Sequence, residues 1–306
     1  MKKLKILDYF VHGAHQYEFA KTGHHFYLVD PSSNKPNWDI NDRPLLDNVH
    51  LISEQEAFKK LYDVVIIRSP VNVKRYEPFI RRGSKSVAVV QTTSPYKIPS
   101  QTKNIVWNCV KTMDKFGKDR FPGKKNHYIV HGFDPNEFTN LHLEKNSRIL
   151  TVANSFKKRA DIMGYDLWER ISNKLQVCDL IGDGNKDISP SIKKAENFQK
   201  LIEIYNSYSV FLNTTRDSAM PRSRGEAAMC GMALVTTRNF DVDRYFTHGK
   251  SAIITNDKNE MVNFLKEFLK SPAMCEDYGQ AAHEIAVKHF HVNDYITKWN
   301  QVLESL

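Results

Sequence analysis

The chain has 306 residues, 41% of them hydrophobic and 26% charged, a composition typical of a globular protein of about two domains. It carries 44 lysines and arginines against 35 aspartates and glutamates, and the net charge of +9 favours anionic partners: nucleotides, an anionic membrane face or nucleic acid. No apolar run approaches the roughly 18 residues of a membrane span. The four cysteines are widely spaced, which argues against a zinc site or a disulfide framework and favours a reducing, cytoplasmic compartment.

Short apolar runs alternate with helical patterns along the chain. The basic amino terminus is interpreted as a first strand rather than a signal peptide, because Asp8 interrupts its apolar run. Helical spacing of apolar residues predicts helices over 162–175, 192–207 and 260–269. The runs that predict strands are 4–7, 26–29, 64–67, 87–90, 128–130, 149–153, 177–181, 210–213, 233–237 and 252–255. This alternation predicts parallel sheets with helices on both faces, divided between two αβ domains.

The polar stretch 136–147 is the predicted boundary between these domains. The first domain is expected over 1–140 and the second over 146–288. In the last segment, 289–306, aromatic and aliphatic residues at helical spacing predict a helix that packs back onto the first domain. A ligand of such a protein is expected at the carboxyl ends of the strands.

The segment 221–237 carries the strongest chemical signal. Pro221 predicts the start of a helix, and Arg222 and Arg224 lie in its first turns. Free N–H groups, the positive end of the helix dipole and two guanidinium groups together favour a phosphate. Glu226 beside such a site suits the hydroxyls of a nucleotide ribose. The alternative is a surface helix on which Glu226 only favours the dipole.

Two further segments follow predicted strands of the second domain. A basic triplet after strand 149–153 is suited to clamp a diphosphate, with a solvated charge run as the alternative. The turn 180–185, LIGDGN, contains Gly182, and its alternative is a turn without a ligand role. The loop after strand 210–213 adds Arg216 and Asp217. The basic triplet consists of Lys157, Lys158 and Arg159.

The order of these motifs resembles the carboxyl-terminal domain of GT-B glycosyltransferases, close to glycosyltransferase family 4 and the CgeB-like group. The matching segments are TVANSFKKR, LIGDGN, VFLNTTRDS, GEAAMCG and MALVTT, followed by HGKSAIITNDKNEMVNFLKEFLKSP. In the first half, IVHGFDPNEF and HGAHQYEFAKTGHHFYLVD are similar to family segments. The resemblance spans nearly the whole chain, strongest at 210–270 and weakest at 31–125. It implies a GT-B fold, with two Rossmann-like αβα domains facing a central cleft.

The resemblance implies a role for each motif. Glu226 would hold the ribose hydroxyls of a nucleotide-sugar donor, and Gly13 would let the first loop approach the phosphates or the sugar. Arg222 and Arg224 would neutralise the departing nucleoside diphosphate, which can replace a metal ion. No cofactor and no metal site are expected. The implied donor-binding residues are Gly13, Lys157, Lys158, Arg159, Gly182, Arg224 and Glu226.

The sequence departs from the family pattern at two positions. The usual acidic pair Glu-x7-Glu would place an acid at Ser218, so Asp217 takes the sugar-contacting role with a shift of one residue, or the role is absent. A histidine common after strand 87–90 is replaced by QTTSPY, and the candidates to substitute for it are His12, His15 and His131. The implied catalytic residues are therefore Asp217, Arg222 and His131, although each histidine has a structural role as its alternative.

The triplet 241–243 is interpreted as the acidic start of a short helix, with metal binding as the alternative.

The expected function is transfer of a sugar from a nucleotide-diphosphate sugar, retaining and metal-independent. The acceptor implied by the resemblance is a bacterial surface polysaccharide or lipid-linked glycan, with the enzyme cytoplasmic or peripheral at the inner membrane face. The basic residues between 74 and 125 leave open glycosylation of modified bases in viral DNA, or an anionic lipid surface. A non-catalytic nucleotide-sugar-binding module is the alternative of another class.

Overall fold

The computed structural model describes residues 2–30, 36–69, 71–141 and 144–306. The chain divides into two compact units, Met1–Gly132 with Val292–Leu306, and Phe133–His291. The division falls before the polar stretch 136–147, of which residues 142 and 143 lie outside the described residues. The last helix belongs to the first unit.

The first unit is built on a parallel seven-stranded sheet with the order β3-β2-β1-β4-β5-β6-β7. Consecutive strands lie side by side on either half of the sheet, and the order reverses at β1. This is the arrangement of a doubly wound αβ domain. The strands are β1 (Lys5–Tyr9), β2 (His25–Val29), β3 (Val49–Ile52), β4 (Val64–Arg68), β5 (Lys85–Val90), β6 (Asn104–Trp107) and β7 (Lys125–Tyr128).

Both faces of this sheet are apolar because successive strand residues alternate between two buried clusters, as Ile6 and Leu7 do on β1. On one face the ring of Trp299 lies 4.4 Å from the ring of Phe19. Trp299 comes from the last helix, which therefore completes the core of the first unit. The helices of this unit are α1 (Gly13–Ala20), α2 (Glu54–Phe58), α3 (Glu77–Arg81), α4 (Val110–Phe116) and, from the end of the chain, α12 (Val292–Glu304).

The second unit has a parallel five-stranded sheet with the order β12-β11-β10-β8-β9. One face packs Ile149, Leu212 and Val235 against apolar residues of the helices, including Trp168 and Leu265. The strands are β8 (Asn146–Val152), β9 (Cys178–Ile181), β10 (Tyr208–Asn213), β11 (Ala233–Thr236) and β12 (Ile253–Ile254). The helices are α5 (Ala160–Met163), α6 (Tyr165–Leu175), α7 (Phe198–Asn206), α8 (Arg222–Met229), α9 (Val242–Tyr245), α10 (Lys258–Lys270) and α11 (Pro272–His289).

The predicted fold class, two parallel αβ units, is confirmed, but several elements differ from the sequence prediction. Strands β3 and β6 were not predicted, because polar residues such as His50 and Asn104 interrupt their short apolar runs. The strand predicted at 128–130 lies at Lys125–Tyr128. Helix α7 begins at Phe198 rather than near 192, where the side chain of Asn197 caps it by accepting a hydrogen bond from the Lys200 N–H.

The helix predicted over 162–175 is interrupted at Gly164, whose φ of +70° is in the left-handed region. No helix of the described residues is both long and apolar enough to cross a membrane.

Replacing Gly164 by alanine should destabilise the second unit strongly. A Cβ atom there would lie 2.1 Å from the carbonyl oxygen of Thr214, and an L side chain is also disfavoured at this φ. Gly249 is the matched control, since it has a φ of +75° but nothing within 4 Å of its Cβ position. Urea unfolding should show a loss of about 2 kcal/mol or more for Gly164→Ala and about 1–2 kcal/mol for Gly249→Ala. Equal losses would contradict the steric argument.

Candidate glycosyl-transfer site

Loops after β8 and β9 lie in backbone contact at the carboxyl edge of the second sheet. The Asn185 side chain donates to the carbonyl oxygens of Ala153, at 2.8 Å, and Gly182, at 3.0 Å. The Asp183 N–H donates to Asn154 Oδ1 at 2.8 Å. Gly182 has a φ of +146°, and a Cβ there would lie 2.0 Å from the Ala153 carbonyl oxygen. The packing of these loops therefore requires glycine at 182, whatever the ligand.

The predicted basic triplet forms a single 3-10 turn beside these loops. The turn spans Lys157–Arg159, and all three side chains are exposed. Asn185 fixes Phe156, the residue directly before this turn, because the Asn185 Oδ1 accepts a hydrogen bond from the Phe156 N–H at 2.8 Å. The Lys157 ammonium lies 5.8 Å from the centre of the Tyr165 ring. The structure thus holds three cations on a short turn whose backbone is anchored to the Gly182 loop.

The loop after β10 is tied to the same region. The backbone N–H groups of Arg216 and Asp217 both donate to the Ile162 carbonyl oxygen, at 2.8 and 3.0 Å. The Arg216 guanidinium pairs with Asp166 at 2.8 Å, and this hydrogen bond lowers the pKa of the Asp166 carboxyl. The Asp217 side chain is exposed. Asp217 therefore lies on a loop that is positioned by its own backbone.

Helix α8 begins at Arg222, directly after Pro221, whose extended backbone ends the loop. The cap residue contributes no side-chain hydrogen bond. A proline at this position leaves N–H groups of the first helical turn for another acceptor. The start of α8 therefore presents donors and the positive end of the helix dipole, and anion binding there stays a prediction.

Glu226 and Arg222 lie one turn apart on α8 and are held by two aromatic residues. The Tyr205 hydroxyl donates to Glu226 Oε2 at 3.0 Å, and Arg222 Nη2 lies 3.6 Å from Glu226 Oε1. The Arg222 guanidinium lies 4.9 Å from the centre of the Phe133 ring. Gly225 permits this packing, because a Cβ there would lie 2.4 Å from the Phe133 ring. Glu226 is buried, with only 5% of its surface exposed.

Tyr205 and Phe133 were not identified as site residues in the sequence. Phe133 belongs to the motif IVHGFDPNEF, which carries part of the family resemblance. The motif does not indicate which side chain the Phe133 ring packs against. Tyr205 falls on the apolar stripe of α7, where a buried tyrosine has the same spacing as a core residue.

Arg224 points into the second unit. Its side chain is fully buried and donates to Asn239 Oδ1 at 2.8 Å and to Thr236 Oγ1 at 3.3 Å. Burial lowers the pKa of Arg224 to about 10, with Asp241 partly opposing the shift. The guanidinium therefore stays charged at neutral pH and ties the start of α8 to the loop after β11. Its contact with a donor diphosphate stays a prediction, separate from this structural role.

The triplet 241–243 forms the start of α9, as predicted. Asp241 is the buried N-cap residue, and the exposed Asp243 pairs with Arg238 at 2.8 Å. In the part of the chain that the structure describes, no group of three or more histidine, cysteine or acidic side chains is arranged to hold a metal ion.

In the first unit, the three histidines considered from the sequence form one stack. The ring of His15 lies 4.7 Å from that of His12 and 4.6 Å from that of His131. His131 is buried, and its Nε2 lies 3.3 Å from the side-chain nitrogen of Asn108. Because His12 and Asn108 follow β1 and β6, the stack lies at the carboxyl edge of the first sheet. The structure therefore joins residues that the sequence offered as separate alternatives.

Gly13 begins α1 beside this stack. The Gln16 side chain holds the preceding loop, since its Oε1 accepts from the Val11 and His12 N–H groups at 3.1 and 3.3 Å. A Cβ on Gly13 would have nothing within 4 Å. The packing of the first unit therefore does not itself require glycine here, unlike at Gly182.

The segment QTTSPY contributes a glutamine where the resembling family has a histidine. Gln91 Oε1 accepts from Arg68 Nη1 at 3.3 Å, and Arg68 Nε lies 3.0 Å from both carboxylate oxygens of Asp8. Desolvation raises the pKa of Asp8, and the charge of Arg68 opposes this shift. Gln91, the residue directly after β5, thus adds a hydrogen bond to the buried ion pair of Arg68 and Asp8.

Residues 157–301 match the model of a family described as glycosyl transferase-like. A comparison with curated protein sequences gives no match. Among solved structures, HepE from Anabaena in complex with UDP-glucose is similar, with a TM-score of 0.74 at 14% identity over 99% of this chain and 100% of that one. Sucrose-phosphate synthase from Thermosynechococcus elongatus has a TM-score of 0.72 at 11% identity over 99% of both chains.

The chain has the fold of GT-B glycosyltransferases.

A third similar structure is an alpha-glucosyltransferase in complex with UDP and a 13-mer DNA containing a HMU base, with a TM-score of 0.71 at 12% identity over 99% of this chain and 100% of that one. At these identities the likeness concerns the fold. Membership of family 4 or of the CgeB-like group stays a prediction. The family match includes the basic turn, the Gly182 loop and the whole of α8.

Removing the Arg224 guanidinium should destabilise the protein. In Arg224→Met the buried Asn239 oxygen loses its donor and Asp241 loses a nearby positive charge, so we expect a loss of about 1–3 kcal/mol in urea unfolding. Arg216→Met is the control, because it breaks an exposed ion pair worth less than about 1 kcal/mol. A loss for Arg224→Met no larger than for the control would contradict the role of Arg224 in holding α8.

Proposed function

We propose that this protein is a glycosyltransferase that transfers a sugar from UDP-sugar to an acceptor hydroxyl, with retention of configuration and without a metal ion. The observation that carries the proposal is the buried Glu226–Arg222 pair at the start of α8, beside helix N–H groups at the carboxyl edge of the second sheet. It is supported by the similar structures of HepE in complex with UDP and with UDP-glucose.

Glu226 is suited to the ribose of the donor. Its carboxylate accepts from Tyr205 and lies close to Arg222, so it is fixed in direction while it still has lone pairs for hydroxyl donors. A buried carboxylate that faces a diol rejects analogues without hydroxyls, because the loss of those partners leaves it unpaired.

The diphosphate is assigned to the start of α8 and to cations around it. The helix N–H groups donate to phosphate oxygens, and Arg222 adds a charge held against the Phe133 ring. The exposed basic turn Lys157–Arg159 belongs to the loop network of the same sheet edge, and its cations take part in binding the diphosphate.

In the transfer itself, the bond between the anomeric carbon and the diphosphate oxygen breaks while a bond to the acceptor oxygen forms. Negative charge grows on the leaving diphosphate, and Arg222 with the helix start stabilises it where a metal ion acts in other enzymes. The acceptor hydroxyl gives its proton to the oxygen of the leaving diphosphate in this step. Asp217, on a loop of the same edge, is proposed to contact the transferred sugar, and Gly13 and His131 remain proposed contacts from the first unit.

The proposed acceptor is a hydroxyl of a bacterial surface polysaccharide or of a lipid-linked glycan. A modified base of DNA is the second candidate, favoured by the similar alpha-glucosyltransferase in complex with a DNA that contains a HMU base. Assays of the purified protein with UDP-sugars and each acceptor class distinguish the two.

UDP and UDP-sugars should raise the melting temperature in the presence of EDTA. A ligand that binds only the folded state at about 100 times its Kd stabilises it by about 2.7 kcal/mol, a shift of several degrees. Thermal unfolding with UDP, GDP, ADP and the corresponding sugars should single out the uridine compounds. A shift only with another base would contradict the UDP assignment, and a shift abolished by EDTA would contradict metal independence.

Glu226→Ala should weaken UDP binding strongly, whereas Tyr205→Phe should weaken UDP binding much less. Both variants remove the hydrogen bond between Tyr205 and Glu226, but only the first removes the carboxylate proposed to hold the ribose. Calorimetric titration should give a loss of at least tenfold in Kd for Glu226→Ala, since a charged hydrogen bond contributes about 1.5–3 kcal/mol. UDP affinity that falls equally in both variants would assign Glu226 a structural role and contradict the ribose contact.

A further inference from the structure

The amino-terminal edge of the first sheet carries a row of exposed lysines. Lys5, Lys85 and Lys125 are the first residues of β1, β5 and β7, and Lys103 immediately precedes β6. The strands run parallel, and β1, β4, β5, β6 and β7 are successive neighbours about 4.8 Å apart. Their first residues therefore share one edge: the Lys125 N–H donates to the Lys103 carbonyl oxygen at 2.8 Å.

The loop between α2 and β4 adds apolar side chains to this edge. Leu61 is 66% exposed and Phe58 is 42% exposed, with the Phe58 ring stacked on that of Phe79 at 5.0 Å. Arg82 donates to the Phe58 carbonyl oxygen at 2.6 Å, so this loop lies against the end of α3, directly before β5. We call the resulting surface the basic edge, and it comprises Lys5, Phe58, Lys59, Lys60, Leu61, Arg81, Arg82, Lys85, Lys103 and Lys125.

The acidic groups on the basic edge leave it positive. Asp63 accepts a hydrogen bond from the Lys5 N–H at 2.7 Å, and Glu77 pairs with Arg81 at 3.1 Å. Two other basic residues of the same part of the sequence do not extend this surface. Lys74 and Arg75 lie in the turn that follows the carboxyl end of β4, where Arg75 pairs with Glu54 at 2.6 Å.

We propose that the basic edge docks on the surface of an anionic lipid bilayer. Exposed lysines and arginines in one row attract anionic headgroups, and an exposed leucine and phenylalanine among them match the interfacial layer of the bilayer. A nucleic-acid backbone would satisfy the charges but offers no partner for the aliphatic side chain of Leu61.

The location of the basic edge also favours a lipid surface. Gly13 and the histidine stack lie at the opposite, carboxyl edge of the same sheet, whereas a nucleic acid that served as acceptor would have to lie at the reacting residues. Docking through the basic edge therefore leaves the carboxyl edge of the first sheet accessible. The proposal is independent of the proposed donor and acceptor, because it concerns binding alone.

The test is flotation of the full chain with phosphatidylcholine vesicles that do or do not contain phosphatidylglycerol, at low and high salt. The charge variant is Lys85→Gln/Lys103→Gln/Lys125→Gln, and the matched control is Lys174→Gln/Lys266→Gln/Lys270→Gln, three exposed lysines of the second unit. Each lysine near an anionic surface contributes about fivefold in affinity, so the charge variant should bind roughly 100-fold more weakly. The control should bind like the natural protein.

Leu61 provides a second, independent readout. Leu61→Ser should weaken vesicle binding several-fold and Leu61→Trp should strengthen it, while the melting temperature stays unchanged because this side chain is mostly exposed. Flotation that does not require phosphatidylglycerol, or that falls equally in the charge variant and its control, would overturn the proposal. Binding to duplex DNA that the charge variant loses, without flotation on anionic vesicles, would instead assign the edge to nucleic acid.

Discussion

Backbone contact between strand-end loops is the constraint on which the candidate site depends. In the second unit, glycines at 164 and 182 occupy positions where a Cβ would lie within 2.1 Å of a neighbouring carbonyl oxygen. No side chain therefore fits where these backbone segments touch. The Asn185 side chain donates hydrogen bonds to carbonyl oxygens of both loops, at Ala153 and Gly182. A rigid base of this kind holds cations and N–H groups in place before a ligand arrives, so less ordering is needed on binding.

Helix α8 combines two kinds of charged residue within one turn. Arg224 is enclosed and hydrogen-bonded inside the unit, whereas Arg222 and Glu226 form a pair whose geometry is set by Phe133 and Tyr205. The two arginines differ by only two positions, which on a helix turns their side chains toward different faces. The buried arginine stabilises the framework, and the pair beside it is available for chemistry.

The first unit separates its polar groups between the two edges of its sheet. Imidazole rings and the loop at Gly13 lie at the carboxyl edge, and exposed lysines lie at the amino edge. Parallel strands make this separation possible, because all residues that begin strands share one edge and all residues that follow strands share the other. Lysines that are dispersed in the sequence are thereby gathered at one edge of the sheet.

The sequence by itself determined the fold class, most of the strands and the start of α8, because continuous apolar runs, helical spacing and Pro221 are local signals. It did not determine β3 and β6, whose short runs contain polar residues, nor the break at Gly164, where a left-handed residue sits inside a helical pattern. Only the tertiary structure decided that Arg224 is enclosed, that Tyr205 holds Glu226 and that the ring of His131 lies against that of His15. These are contacts between residues distant in the chain, and their partners depend on which elements the core brings together rather than on any local pattern.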